Sequence, residues 1–309
     1  MTPSLDGVLV VDKPDAVTSH DVVAAVRRQV PRRTRVGHTG TLDPFATGVL
    51  PLVIGKATRL AQFLTATRKG YVAAIAFGTA TDTGDCTGET VATAPADRIA
   101  AITADAVARA LASFVGTQAQ VPPAHSAKKV DGERAYVLAR RGTLVDLPAV
   151  DVTAFALRLL AWDPDRAVAT VDMETSAGYY VRSLARDLGG RLGVPSHLAA
   201  LRRTRSGEFT LADAATLDVV VGPGCADLGT LVRPMGTLLP DLPALQLEPA
   251  QVEDVMHGRL FEPGPGQARP GPSGRVRLLA GTTLVGLGRA ATGAPHLVHA
   301  DIVLGQPAG

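Results

Sequence analysis

The sequence predicts an α+β fold in two units, a large one of mixed helices and strands over residues 1–240 and a small strand-rich one over 245–309. Three observations lead there. The chain has 309 residues, too many for one ordinary hydrophobic core and about right for two. Its composition, 46% hydrophobic and 19% charged with a net charge of +2, is that of an ordered globular protein; disorder needs less hydrophobicity and more net charge. Helical and strand-like patterns alternate without a regular strand–helix–strand rhythm, and the tail holds only short strands between Gly- and Pro-rich turns after one helix.

Residues 7–11 (Gly-Val-Leu-Val-Val) read as a strand closed by Asp12-Lys13-Pro14. Thr18 or Ser19 then caps a helix whose apolar stripe is Val22, Val23, Val26 and Val30. Arg27, Arg28, Arg32, Arg33 and Arg35 follow, either as a solvated face or as a phosphate-positioning surface. Residues 71–77 place Tyr, Ala, Ile and Phe on one face of a strand, and 104–115 form a helix stopped by Gly116. The stretch 120–142 opens on Pro122-Pro123, carries Lys128, Lys129, Arg134, Arg140 and Arg141, and closes on a short helix expected over about 133–141. A loop of that length in a compact domain is usually functional.

Residues 166–174 read as a strand. Residues 180–192 read as a helix with Leu184, Leu188 and Leu192 on its core face and Arg182 and Arg186 beside them. The proline-rich passage 239–249 reads as a linker. A helix with Pro249 in its first turn and Gly258 past its end follows, then strands over 275–279, 283–287 and 296–304.

Several classes of function lose their usual supports. No run approaches the ~18 apolar residues of a membrane span, and residues 1–11 lack the basic stretch and long apolar run of a secretory signal. Cys86 and Cys225 are the only cysteines, far apart and without histidines at ligand spacing, which speaks against a disulfide scaffold or a structural zinc and fits a reducing cytoplasm. Gly55-Lys56 lacks the glycine spacing and the following Ser or Thr of a phosphate-binding loop. Gly286-Leu-Gly288 lacks the third glycine of a dinucleotide site, no nucleophile elbow occurs, and the seven histidines form no metal-ligand set. Of 31 basic residues only Lys13, Lys56, Lys69, Lys128 and Lys129 are lysines. Arginine suits bidentate contact with carboxylate or phosphate, although GC-rich codon usage produces the same bias.

The most informative stretch is 35–51, Arg-Val-Gly-His-Thr-Gly-Thr-Leu-Asp-Pro-Phe-Ala-Thr-Gly-Val-Leu-Pro. Its three glycines and two prolines are too dense for a helix or a long strand. Asp43, held out of the helical region by Pro44, is a carboxylate on a rigid turn between Leu42 and Phe45. On composition alone it reads rather as an Asx-turn residue.

This stretch resembles the catalytic-aspartate motif of the TruB family, the bacterial tRNA pseudouridine synthases that modify uridine 55 in the T-loop. Other blocks are similar in family order: Gly7-Val-Leu-Val-Val-Asp-Lys-Pro; Tyr71 through Gly78 to Thr81-Asp-Thr-Gly-Asp85; Gln120-Val-Pro-Pro-Ala-His-Ser-Ala-Lys-Lys with Tyr136 and Ala139-Arg-Arg-Gly142; Gly178-Tyr-Tyr-Val-Arg182; and Leu201-Arg-Arg-Thr. The resemblance implies an α+β pseudouridine-synthase core with a mixed, largely antiparallel sheet, an RNA-gripping insertion at 120–142 and a small C-terminal PUA-like RNA-binding β-barrel. It implies a cytoplasmic monomer acting alone on the T-arm of tRNA, with no membrane and no protein partner. A guide-RNA-dependent synthase of the dyskerin kind is the runner-up, and an RNA chaperone without chemistry is the alternative from another class.

The implied reaction breaks the N1–C1′ bond of uridine and joins C1′ to C5. Nothing is oxidised and no group is acquired, so no cofactor or metal is expected. A carboxylate beside the ribose is needed, as nucleophile at C1′ or as base at C2′–H, and the resemblance assigns it to Asp43. A guanidinium beside a carboxylate lowers its pKa by about 1–3 units and fixes its orientation, and Arg182 is the candidate. Tyr71 either pads the sheet with Ile75 and Phe77 or stacks on a flipped uracil with its hydroxyl near C5. By their motif positions Tyr180 and Leu201 line the base pocket, His38 contacts RNA, Asp85 orients neighbouring groups on the substrate side, and Lys128 and Lys129 grip the backbone.

Overall fold

A computed structural model describes residues 5–123, 147–223, 227–271 and 274–305, together with the backbone of 129–130 and 133–134. Alternating apolar residues build one large mixed sheet. Its strands are β1 (Gly7–Lys13), β2 (Val36–His38), β3 (Thr47–Ile54), β4 (Lys69–Phe77), β7 (Gly116–Gln120), β10 (Val150–Asp163), β11 (Val168–Thr175), β12 (Ser196–Ser206), β13 (Phe209–Thr210), β14 (Ala215–Thr216) and β15 (Val232–Pro234). Two small hairpins, β5 (Thr79–Thr81) with β6 (Thr90–Thr93) and β8 (Lys129–Val130) with β9 (Glu133–Arg134), stand apart from it. The main path is β14-β1-β3-β12-β4-β11-β10-β7, with β2 on β3, β13 on β12 and β15 on β1. Parallel pairing occurs where β1 meets β14 and where β12 meets β3; the other pairs are antiparallel.

Successive residues of a strand face opposite sides, and the two sides of this sheet carry different cores. Leu9 and Val11 of β1, Leu50, Leu52 and Ile54 of β3 and Tyr71, Ala73 and Ile75 of β4 face one side. There they pack with α1 (Ser19–Arg27), α4 (Ala104–Ala112) and α5 (Val181–Leu192); α2 (Ala61–Thr65) and α3 (Ala96–Ala100) are short. Thr18 caps α1 in a reciprocal box with Asp21, and Val22, Val23, Val26 and Val30 are buried as their spacing predicts. Among the described residues no helix is long and apolar enough to cross a membrane.

Val8, Val10, Val49 and Val53 face the other side, where the tail covers them. After α6 (Leu217–Val221) and α7 (Leu228–Leu231), the tail folds as β16 (Ala244–Gln246), α8 (Pro249–Met256), β17 (Arg275–Ala280), β18 (Thr283–Ala291) and β19 (Ala294–Val303), a four-stranded sheet in that order. One face of this sheet has its own core with α8, including Leu245, Val255, Val276 and Val298. The other sends Leu279, Leu284, Leu287, Ile302 and Leu304 onto the large sheet. The tail is thus a distinct sheet that shares a hydrophobic interface with the first unit.

Four local expectations are corrected. The proline-rich linker contains β16, because Leu245 is wholly buried and pairs in parallel with Leu278. The helix expected to Val115 ends at Ala112, and Gly116, at φ +109°, opens β7 instead of capping it. Glu133–Arg134, expected as the start of a helix, is a strand; the remainder of that segment lies outside the described residues. The stretch judged too rich in Gly and Pro for a long strand contains most of β3. Pro51 accepts a hydrogen bond from Thr39 N on the β2 side, so its missing N–H faces that side too and costs no bond to β1. Gly48, at φ +103°, passes where a Cβ would lie 2.2 Å from the Arg203 carbonyl oxygen.

Candidate active site

The turn that carries Asp43 has little regular structure of its own, so its backbone polar groups must be satisfied by side chains. Three buried residues from separate elements do this. Arg203 on β12 donates to the carbonyls of Gly40 (3.1 Å), Thr41 (3.5 Å) and Val49 (2.7 Å). Ser19, at the start of α1, donates to Leu42 O at 3.0 Å and accepts from Leu42 N at 2.8 Å. Lys13, at the end of β1, donates to the carbonyls of Pro14, Val17 and Pro44. Burial pushes the Lys13 ammonium down to about 8, with the carboxylates of Asp15 and Asp43 acting in the opposite sense.

Arg182, in the first turn of α5, meets Asp43 with two donors, Nε to Oδ2 at 3.0 Å and Nη2 to Oδ1 at 3.2 Å. Its third nitrogen, Nη1, donates to Thr83 O at 3.0 Å and lies 3.6 Å from Asp85 Oδ2. The fork geometry fixes the plane of the Asp43 carboxylate. Asp85 is in turn held through Oδ1 by Thr83 Oγ1 (2.8 Å), Thr87 Oγ1 (2.6 Å) and Thr87 N (3.0 Å). Arg182 acts on Asp43 in the expected sense, but burial outweighs it. Burial pushes Asp43 up, Asp85's charge adds to the rise, and Arg182 and Lys13 only hold it back. Asp43 nonetheless keeps a third of its side chain open to the pocket.

The pocket beyond Asp43 has a volume of about 260 Å³. Tyr71, Tyr180, Arg182 and Leu201 line it with Asp43, as their positions led one to expect, and Lys69 and Arg203 line it as well. Tyr71 is buried in the sheet face, and its hydroxyl interacts with Arg203. Padding the core and facing the pocket are therefore both true of it. Tyr180 is the N-cap of α5, and the Gln120 side chain clamps its backbone, accepting from Tyr180 N at 2.8 Å and donating to Tyr180 O at 3.1 Å.

The other candidates fall elsewhere. Asp85, expected on the substrate side, is 4% exposed behind Arg182 and does not line the pocket; it orients Arg182. His38 is half-buried on β2 beside a separate groove with Arg27 and Arg35, and burial and the charge of Arg203 lower its pKa. Lys128 and the Lys129 side chain lie outside the described residues, as does Cys225. Four arginines of the tail have internal partners: Arg275 bonds Asp301, Arg277 bonds the carbonyls of Leu242, Gly236 and Leu238, and Arg259 and Arg269 face Asp254 and Glu262. Sequence reasoning offered Ser19 only as a possible helix cap and assigned no role to Lys69 or Gln120 individually, nor to Arg203 beyond the family's last motif. The signal within reach was the placement of Lys13, Gln120 and Arg203 inside the recognised blocks.

The family description "TruB family pseudouridylate synthase (N terminal domain)" matches residues 27–181, and "tRNA pseudouridylate synthase B C-terminal domain" matches 182–239. The chain is 42% identical over 303 residues to a tRNA pseudouridine synthase B of Solibacter usitatus, covering 97% of this chain and 100% of that protein. It is 45% identical over 286 residues to one of Thermobifida fusca, covering 89% and 94%. Among solved structures it is similar to a Cbf5-Nop10-Gar1 complex, with a TM-score of 0.68 and 27% identity over 97% of this chain and 85% of that one.

Proposed function

The chain belongs to the TruB family of pseudouridylate synthases, and on that premise we propose that it isomerises uridine 55 in the T-loop of tRNA to pseudouridine, with Asp43 acting at the ribose of a flipped nucleotide. The observation that carries this reading is the doubly bonded Arg182–Asp43 pair in a pocket lined also by Tyr71, Tyr180 and Leu201. A carboxylate held in one plane, with part of its surface open to the pocket, is positioned for C1′ or C2′ of a nucleotide turned out of its stack. The aromatic faces of Tyr71 and Tyr180 and the Leu201 side chain supply stacking and apolar contact for the uracil. The exposed arginines Arg28, Arg32, Arg33 and Arg35, the 120–142 insertion and the tail as a PUA-like unit supply the phosphate grip.

The likeness to a Cbf5 complex favours a guide-RNA-dependent synthase as the second reading. One experiment separates them: incubate the purified protein, free of other proteins and RNA, with an unmodified tRNA transcript and map pseudouridine at single-nucleotide resolution. Modification at uridine 55 alone, abolished by Asp43→Asn, is the expected result. A wild-type protein that binds the transcript and leaves it unmodified refutes the proposal.

A further inference from the structure

Lys69 opens β4 two residues before Tyr71, so both side chains rise from the same face of the strand. Its register partners are Ser206 on β12 and Thr175 on β11. The side chain is 5% exposed, yet it lines the pocket that holds Asp43. An ammonium has three donors. Two of them are spent on hydroxyls, Thr67 Oγ1 at 2.9 Å and Ser206 Oγ at 3.0 Å, and no carboxylate lies in contact with it among the described residues. Lys13 spends three donors on three carbonyls and is complete. Lys69 is a buried cation with one donor to spare.

Its charged surroundings sharpen the contrast. Arg203 on β12 and Tyr71 on β4 are its neighbours in the pocket wall, and Asp43 and Arg182 lie on the same pocket. Glu174, next to Thr175 on β11, is on the opposite face and is occupied by Arg68 and Arg205. Burial, and after it the positive charge of Arg203, brings the Lys69 ammonium down to about 7. Two adjacent buried cations without a counter-ion cost free energy in the resting protein, and an anion arriving in the pocket relieves that cost.

The reaction proposed above generates one. When N1–C1′ breaks, the bonding pair leaves with the base, while C1′ bonds an Asp43 oxygen or C2′ gives its proton to Asp43. The detached uracil is then an anion. The pair returns as C5 attacks C1′, while Asp43 either leaves C1′ or gives its proton back to C2′; C5 then loses a proton while N1 gains one, giving a neutral isomer. We propose that Lys69 is a further catalytic residue of this reaction, its protonated amine donating to a uracil carbonyl and balancing the negative charge of the detached base. Lys69 exchanges no proton in this role. The inference rests on the pseudouridine synthase reading.

The test uses the full chain and an unmodified tRNA transcript, with single-turnover rates at saturating enzyme from about pH 6 to about pH 9. Lys69→Met lowers the rate by at least about 100-fold while tRNA affinity and its salt dependence stay within about threefold of wild type. The wild-type rate falls as pH rises through about 7. Lys69→Arg restores a measurable rate that stays level into the alkaline range, because a guanidinium keeps its charge there. A Lys69→Met protein at the wild-type rate overturns the inference, as does one whose only defect is weaker, less salt-dependent binding, the mark of a phosphate contact. Should Lys69→Met fail to fold, an alkaline limb identical in wild type and Lys69→Arg overturns it instead. Wild-type protein without pseudouridine formation refutes the earlier reading; active wild type with an indifferent Lys69 refutes only this one.

Discussion

At one end of the pocket Arg182 lies between two carboxylates, Asp43 and Asp85; at the other, Lys69 and Arg203 are surrounded by carbonyls and hydroxyls. Both ends are buried, and the difference is in what is left unfinished. At the paired end every charge touches an opposite one before any ligand arrives, so its work is orientation. A bidentate bond fixes the Asp43 plane, and the hydroxyls of Thr83 and Thr87 fix the Asp85 that steadies Arg182. The cationic end has its shape completed by neutral groups and its charge unanswered. Matched charges there would leave nothing for an anionic ligand to gain.

The comparison breaks most directly at Asp43. Asp43→Asn keeps the size of the side chain and removes the carboxylate, so pseudouridine formation falls to about a thousandth of wild type or less, with tRNA affinity within about threefold. Mapping by single-turnover assay and a filter-binding titration checks both halves. Next in size is Arg182→Met, which leaves Asp43 and Asp85 without the cation between them. Breaking a buried pair from one side costs about 3–5 kcal/mol, so denaturant unfolding shows a large loss of stability and the rate drops by about 100-fold.

A finer test uses pH, with opposite signs at the two carboxylate neighbours. Asp43 is pushed above its ordinary value by burial and by Asp85 and is held back by Arg182. The ionised form acts, so activity is lost as pH falls through that raised value. Asp85→Asn removes a charge that raises it and moves the acid limb of the rate profile to lower pH. Arg182→Gln removes the charge that lowers it and moves the limb to higher pH. Profiles that move in the same direction would show that the two residues act on something other than the Asp43 proton.

The smallest expected effect is on binding alone. Lys128→Ala with Lys129→Ala leaves the rate at saturating enzyme unchanged. It flattens the dependence of log K on log salt by about 0.7 for each single-strand phosphate that is no longer neutralised. An unchanged slope removes these lysines from the RNA-binding surface.

Much of this was legible from local pattern. The stripe Val22, Val23, Val26 and Val30, the Thr18 cap, the one-sided strand at Tyr71–Phe77 and the Pro249 helix start depend on neighbours a few residues apart, where periodicity and capping chemistry act. The rigid turn at Asp43 was legible for the same reason, since Pro44 acts on the residue before it. The family blocks pointed to Asp43, Tyr71, Tyr180, Arg182 and Leu201, which the fold brings to one pocket. That the group Asp85 orients is Arg182, and that Asp85 lies behind it and not on the substrate side, is a matter of depth, which spacing does not encode.

By itself the sequence determined the faces of its helices and strands, the turn at Asp43 and the identity of the chemical groups available. The tertiary structure decided which charge meets which. Arg182 is 139 residues from Asp43, and Lys69 is 137 from the serine that holds it, distances over which periodicity carries no information. It also decided the direction in which Asp43 shifts. A guanidinium contact alone lowers a carboxyl, but the loss of water around Asp43 outweighs it, and desolvation exists only once the sheet, α5 and the Asp43 turn have closed on one another.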